Sequence, residues 1–261
     1  MPIHPTAIIE DGAEISDEAT IGPYCIVGGK ARIAAGAELK SHVHIAGRTS
    51  IGERTVVWPF ASLGGPPQHL GYRGEDTALV IGADNIIREH VTMNIGTAAG
   101  RGVTRIGDRG YFMAGSHVGH DCDIGDHAIL APSVAIGGHV TVEEHVFFGG
   151  LSAVHQHSRV GAYSFIGGLA GITTDVIPYG SAWGTHAHLD GLNIIGLKRR
   201  GVPREVIHDM RAAYRLLFEG GGVFAERVEL AAAEYGHRPE VARIIAFIRA
   251  DAPRPVMTPA R

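Results

Sequence analysis

Aliphatic residues recur at every sixth position along most of this chain. From Ile9 the series runs through Ile15, Ile21, Val27, Ile33, Leu39, Ile45, Ile51, Val57 and Leu63. It resumes at Ile106 and continues through Phe112, Val118, Ile124, Leu130, Ile136, Val142, Phe148, Val154, Val160, Ile166 and Ile172. Ile81, Ile87 and Met93 keep the same beat between the two runs. Two residues before these positions stand mostly small side chains, such as Ala7, Ala19, Cys25, Ser116, Cys122 and Ala128. An α-helix cannot hold this pattern, because six residues rotate it by about 1.7 turns and scatter the apolar positions around it. Short strands joined by bends can. Each hexad makes one narrow face, its aliphatic residue inward and its small residue easing the corner. Three hexads close one triangular coil of a parallel β-helix, and successive coils stack at ~4.8 Å. The period is silent on handedness.

The 37 glycines suit a chain with a tight bend every few residues. A formal net charge of −4 and an isoelectric point near 6.5 argue against a general nucleic-acid binder, which needs a basic face. Cys25 and Cys122 both occupy the small inward slot, so they are expected as buried packing thiols in a reducing compartment. No charged start followed by an apolar run marks a leader, and no apolar stretch is long enough to span a bilayer. The expectation is a soluble cytoplasmic protein.

Two segments break the beat and should project as loops: 64–78, containing "GGPPQHLGYRGEDT", and 96–102, "GTAAGRG". Loops on a rigid scaffold are where binding groups usually sit. The repeat fades after Ile172. A helix is expected from Pro203 to about Phe218, on the stripe Arg204, Ile207, Met210, Ala213, Tyr214 and Leu217, with "EGGG" ending it. Two more are expected near 223–235 and 239–250. The domain reading is thus a β-helix over 1–190 and a small α-helical domain over 191–261. Lys198, Arg199 and Arg200 stand together at the junction, as a solvated basic surface or as a contact for phosphates or an acidic protein.

Positions eighteen apart should stack, so Gly138 and Gln156 lie in column with His120, flanked by His139 and His155. With His117 and Asp121, these groups gather on one edge of an otherwise plain solenoid, which suggests a cleft. None of the sixteen histidines has a partner five residues away, the spacing used by zinc enzymes on such solenoids, so metal is not expected. Proton transfer asks for less. A neutral His120 can take a proton, Asp121 can fix its tautomer, and Gly138 can offer an unshielded N–H to an oxyanion. No serine or cysteine nucleophile is evident, which favours direct transfer over an acyl-enzyme.

The repeat together with "HVGHDC", "GGHV", "AVHQ" and "NIIGLKRRG" resembles the UDP-N-acetylglucosamine O-acyltransferase family, which makes the first intermediate of lipid A in Gram-negative bacteria. The resemblance implies a left-handed β-helix, a homotrimer with active sites between subunits, and a 3-hydroxyacyl group delivered by acyl carrier protein without metal or other cofactor. It implies His120 as general base, Asp121 as its orienting group and Gly138 as oxyanion donor. Gln68 falls in the loop that meets the acceptor sugar. His117, His139, His155 and Gln156 match residues lining the sugar and acyl site, Asn193 and Arg199 nucleotide-side contacts, and Lys198 and Arg200 the carrier-protein side. Gly168 matches the position that limits acyl length. It lies 48 residues beyond His120, 8/3 of a coil or ~13 Å along the axis, and leaves room for a longer chain.

The acceptor loop departs from the family's usual Gln-Asp-Leu-Lys-Tyr, reading Gln68, His69, Leu70, Gly71 and Tyr72. Ile195 stands where a glutamate is common, and Asn94 and Ile95 replace a His-Arg pair. A second candidate acceptor is therefore a 3-amino sugar nucleotide, giving an amide. The repeat is also compatible with the later N-acyltransferase of the same pathway, which carries an extra N-terminal domain, and with an acetyl-CoA-dependent acetyltransferase. A purely structural scaffold would share the repeat but has no need of the aligned His120, Gly138 and His139.

Overall fold

The structure is a computed structural model and describes residues 3–260. Most hexads become strands of two residues, the second facing inward, and away from the insertions each strand pairs in parallel with the one eighteen residues on, as His117–Val118 does with Ala135–Ile136. Three sheets result. The first face has nine strands from Ile8–Ile9 to Gly171–Ile172, the second eight from Glu14–Ile15 to Arg159–Val160, and the third ten beginning at Thr20–Ile21. Together they form a left-handed parallel β-helix with a small helical region at its C-terminal end.

The inward aliphatic residues fill the prism, with Phe112, Leu130, Phe148 and Ile166 fully buried. Cys25 and Cys122 are buried and free, and burial pushes the Cys122 thiol up to about 12. Cys122 Sγ donates to the Gly137 carbonyl at 3.0 Å, away from His120.

The two insertions keep the inward residues in phase, with a bulge at Gly64 where the ladder shifts so that Gly65 pairs with Asn94. Ser62 pairs with Thr92, thirty residues on, and Thr92 with His117, twenty-five on. The first is shorter than 64–78, since the strands Ser62–Gly65 and Ala78–Ile81 claim both its ends through ladder hydrogen bonds. At the far end, Gly180–Trp183 and His188–Leu192 form an antiparallel hairpin that closes the third face and runs across residue 190. Four helices follow: α1 (Ile194–Arg199), α2 (Arg204–Phe218), α3 (Phe224–Tyr235) and α4 (Pro239–Arg249). Pro203 is the N-cap of α2 rather than its first residue. The six-residue α1 is additional to the three helices expected from the sequence. Helix α4 is tied to the solenoid by Arg243, whose guanidinium meets Glu143 at 3.0 Å and Glu144 at 2.6 Å.

Candidate active site

The strand His117–Val118 is its coil's contribution to the first face, and the chain then turns through Gly119, His120 and Asp121 onto the second. Asp121 makes the corner with φ +59°, in the left-handed region that aspartate tolerates better than most residues. That turn directs its carboxylate back against the preceding ring. His120 Nδ1 lies 2.9 Å from Asp121 Oδ2, with His120 only 5 % exposed and Asp121 fully buried.

The second insertion cages this carboxylate. The Thr97 amide reaches Oδ1 at 3.0 Å and the Thr97 hydroxyl Oδ2 at 2.6 Å, while the Arg101 and Gly102 amides reach Oδ1 at 2.8 and 3.1 Å. The Arg101 guanidinium donates to the Asp121 carbonyl at 2.8 Å and to the Thr141 hydroxyl at 2.7 Å. Burial by itself would raise the Asp121 carboxyl, but the Thr97 hydroxyl, the His120 ring and the Thr97 amide together hold it below its ordinary value. An ionised carboxylate only accepts, so His120 donates through Nδ1, and the neutral ring then keeps its lone pair on Nε2.

Gly138 lies against that ring. A Cβ on it would come within 2.7 Å of His120 Nε2 and Cε1, so only glycine lets the imidazole sit there. Among the described residues the Gly138 N–H has no acceptor, and neither do the N–H groups of Gly150 and Gly168 at the equivalent place on another corner. Of these three only Gly138 lies under the base.

Three more imidazoles surround His120. The His139 ring stands perpendicular to it at 4.9 Å and stacks on His157 at 4.4 Å, and its Nε2 is 3.9 Å from Asp121 Oδ2. Burial holds His139 below its ordinary value against the pull of Asp121. His69, beside the exposed Gln68 in the first loop, sets its ring 5.4 Å from His120. His117 is half-buried, shares a 2.8 Å hydrogen bond with the Thr92 hydroxyl, and is lowered by burial and then by His120. Ligand atoms of His120, Asp121 and His139 lie within 4.8 Å of one another, close enough for an ion. Five donors already occupy the Asp121 oxygens, however, and an ion there would have to displace them.

His155 and Gln156 sit further along the same corner, both exposed. The remaining sequence candidates lie elsewhere on the chain. Asn193 caps α1, accepting from the Gly196 amide at 2.9 Å and donating to the Tyr163 carbonyl at 3.0 Å. Arg199 and Arg200 line a cleft of about 840 Å³ on the third face with His145, Tyr163 and Phe165, and the Arg200 guanidinium lies 4.5 Å over the Tyr163 ring. Lys198 is exposed beside them. Gly168 stands in column with Gly150 on the corner between the third and first faces, where an added Cβ would meet only the Gly150 carbonyl at 3.3 Å. One chain therefore unites His117, His120, Asp121, Gly138 and His139, and keeps Asn193, Arg199 and Gly168 apart from them.

Residue-type reasoning missed Thr97, Arg101 and His157. The interruption "GTAAGRG" was the available signal for the first two.

Residues 175–257 match the family described as Udp N-acetylglucosamine O-acyltransferase, domain 2. Over 261 residues the chain is 58 % identical to the acyl-[acyl-carrier-protein]–UDP-N-acetylglucosamine O-acyltransferase of Caulobacter vibrioides, covering 100 % of this chain and 99 % of that one. The solved UDP-N-acetylglucosamine O-acyltransferase of Moraxella catarrhalis RH4 superposes with a TM-score of 0.95 at 41 % identity, over 98 % of this chain and 100 % of that one. The Acinetobacter baumannii structure gives 0.96 at 39 % identity, over 98 % of this chain and 100 % of that one.

Proposed function

The chain belongs to the acyl-[acyl-carrier-protein]–UDP-N-acetylglucosamine O-acyltransferase family, and we propose that it moves a 3-hydroxyacyl group from acyl carrier protein directly to the 3-hydroxyl of UDP-N-acetylglucosamine. This is the first step of lipid A synthesis and takes place in the cytoplasm. The observation that carries the mechanism is the His120 tautomer. Its proton is held on Nδ1 by Asp121, and its Nε2 lone pair faces the space beside Gly138.

In the reaction, Nε2 takes the proton of the sugar hydroxyl as that oxygen attacks the thioester carbonyl. Asp121 stabilises the imidazolium that forms. The oxyanion of the tetrahedral intermediate accepts from the Gly138 N–H. Collapse breaks the carbon–sulfur bond, and the imidazolium returns its proton to the departing thiolate. Each bond made or broken is served by a group of this chain.

A homotrimer completes the site. The outward side chains of the second face include the charged Glu14, Arg32, Arg105, Asp123 and Arg159 beside Ser50, Val80 and Thr141. Those of the third face include Val56, Ile86, Tyr111, Ile129, Phe147 and Phe165, and those of the first include Ile26, Ala135 and Ala153. The third face is largely apolar and the first mixes Ile26, Ala135 and Ala153 with the neutral polar His44, Ser62, Thr92 and His117, which suits packing of the first face of one subunit on the third face of the next. That packing carries Asn193 and Arg199 of a neighbour toward the His120 edge as nucleotide contacts, with Lys198 and Arg200 left to the carrier protein. No helix of the described residues is long and apolar enough to cross a membrane.

The test is acyl transfer with UDP-N-acetylglucosamine and a panel of 3-hydroxyacyl carrier proteins. His120→Ala should lose roughly 10²–10⁴-fold in rate, and survival of activity would overturn the base assignment. His69 stands beside the base in place of the usual charged acceptor loop, which is the observation that favours testing an amide product as well. A 3-amino sugar nucleotide in the same assay decides between ester and amide.

A further inference from the structure

The C-terminal segment returns to the edge that carries His120. Past α4, Val256 bridges to Asp175, and the Asp175–Pro255 and Met257–Asp175 backbone hydrogen bonds of 2.9 and 2.7 Å fix the strap there. Arg254 is thereby laid across the last turns of the corner. Its Nε–H reaches the Gln156 carbonyl at 3.1 Å, its Nη1–H the Thr173 carbonyl at 3.4 Å, and its Nη2–H the His155 Nδ1 at 2.6 Å.

The last contact fixes a proton. A guanidinium has donors only and does not lose them in a protein. Two N–H groups cannot face each other at 2.6 Å, so His155 Nδ1 must present its lone pair. Donation from Nδ1 to the Gln156 carbonyl, 3.3 Å away, would set those two hydrogens against each other. Neutral His155 therefore carries its proton on Nε2. His120 is the reverse, protonated on Nδ1 with Nε2 free. One corner thus holds two histidines in opposite tautomers, with Gln156 two coils, ~10 Å, along the axis from His120.

We propose that Arg254 is a positioning residue that locks His155 as an Nε2–H donor to an acceptor oxygen of the bound sugar nucleotide. The inference rests on the function proposed above for its ligand, but the tautomer belongs to the free protein. Nothing in the sequence around Arg254 points to this, because its partners lie about eighty and about one hundred residues away.

The experiment has two readouts on the full chain. Solid-state nitrogen NMR of histidine-labelled protein, with His155→Asn assigning the signal, should find His155 unprotonated at Nδ1 and shifted toward a mixture in Arg254→Met. Calorimetric binding of UDP-N-acetylglucosamine should weaken about tenfold in Arg254→Met, with the melting temperature held, and Arg254→Met should add nothing in the His155→Asn background. A His155 signal unmoved by Arg254→Met, or an equal loss of binding with His155 already absent, overturns the proposal. Failure of the unaltered protein to bind the sugar nucleotide counts against the function proposed above, while the nitrogen spectrum still decides the tautomer.

Discussion

Histidine gathers at the corners of this solenoid because the backbone there turns left-handed. Seventeen described residues other than glycine adopt φ between 53° and 65°, and six of them are histidines. Histidine and aspartate tolerate that region better than most side chains. His139 and His157 occupy such slots, and so do His42, His90, His127 and His145 on other corners. Register among histidines therefore marks a corner before it marks a site. His120 differs because it precedes the slot and leaves it to Asp121, whose carboxylate then holds the ring. Asp121→Asn keeps the size and the turn but offers one acceptor oxygen to five donors. Its kcat should fall a hundredfold or more by steady-state assay, on the order of losing an oriented base. The Asp121 carboxyl lies below its ordinary value, so its stabilising contribution is complete above about pH 4 and is lost as pH falls through the folded value. Melting temperatures of the unaltered chain and Asp121→Asn should therefore differ at neutral pH and converge in acid.

The segments that interrupt the repeat build the site. The loop after Asn94 wraps Asp121, and the loop after Gly65 brings His69 to the base. Thr97→Val removes the 2.6 Å hydroxyl donor to Asp121 while keeping shape. It should lower kcat about tenfold and stability by about 1 kcal/mol, read from kinetics and thermal melting. The strands and helices α2 to α4 were legible, because hydrophobic period and Pro or Gly punctuation are local signals. Helix α1 was not. It has six residues, too few for a period, and depends on the Asn193 cap and its link to Tyr163, thirty residues back. The role of "GTAAGRG" was equally hidden, since Thr97 meets its partner across twenty-four residues.

At the scale of the molecule, the three faces differ in chemistry, and that difference predicts assembly. Phe147→Asp with Phe165→Asp on the third face should convert the proposed trimer to monomers in analytical ultracentrifugation and abolish transfer. Asp123→Asn on the charged second face should change neither. Gly168 and His120 lie on different corners because 48 residues are not a whole number of coils. If Gly168 limits the acyl chain, it does so across a subunit boundary, and Gly168→Met should shift preference toward shorter acyl groups in the carrier-protein panel. The hexad in the sequence dictated the coil, its inward residues, the buried thiols and the alignment of His120 with Gly138, because alternation and bend sterics act over a few residues. Which ring nitrogen faces a donor or an acceptor in His120 and His155, what cages Asp121, and which candidates share a cleft were decided by the folded chain. Those depend on single hydrogen bonds between residues brought together from up to a hundred positions apart, and no local period encodes them.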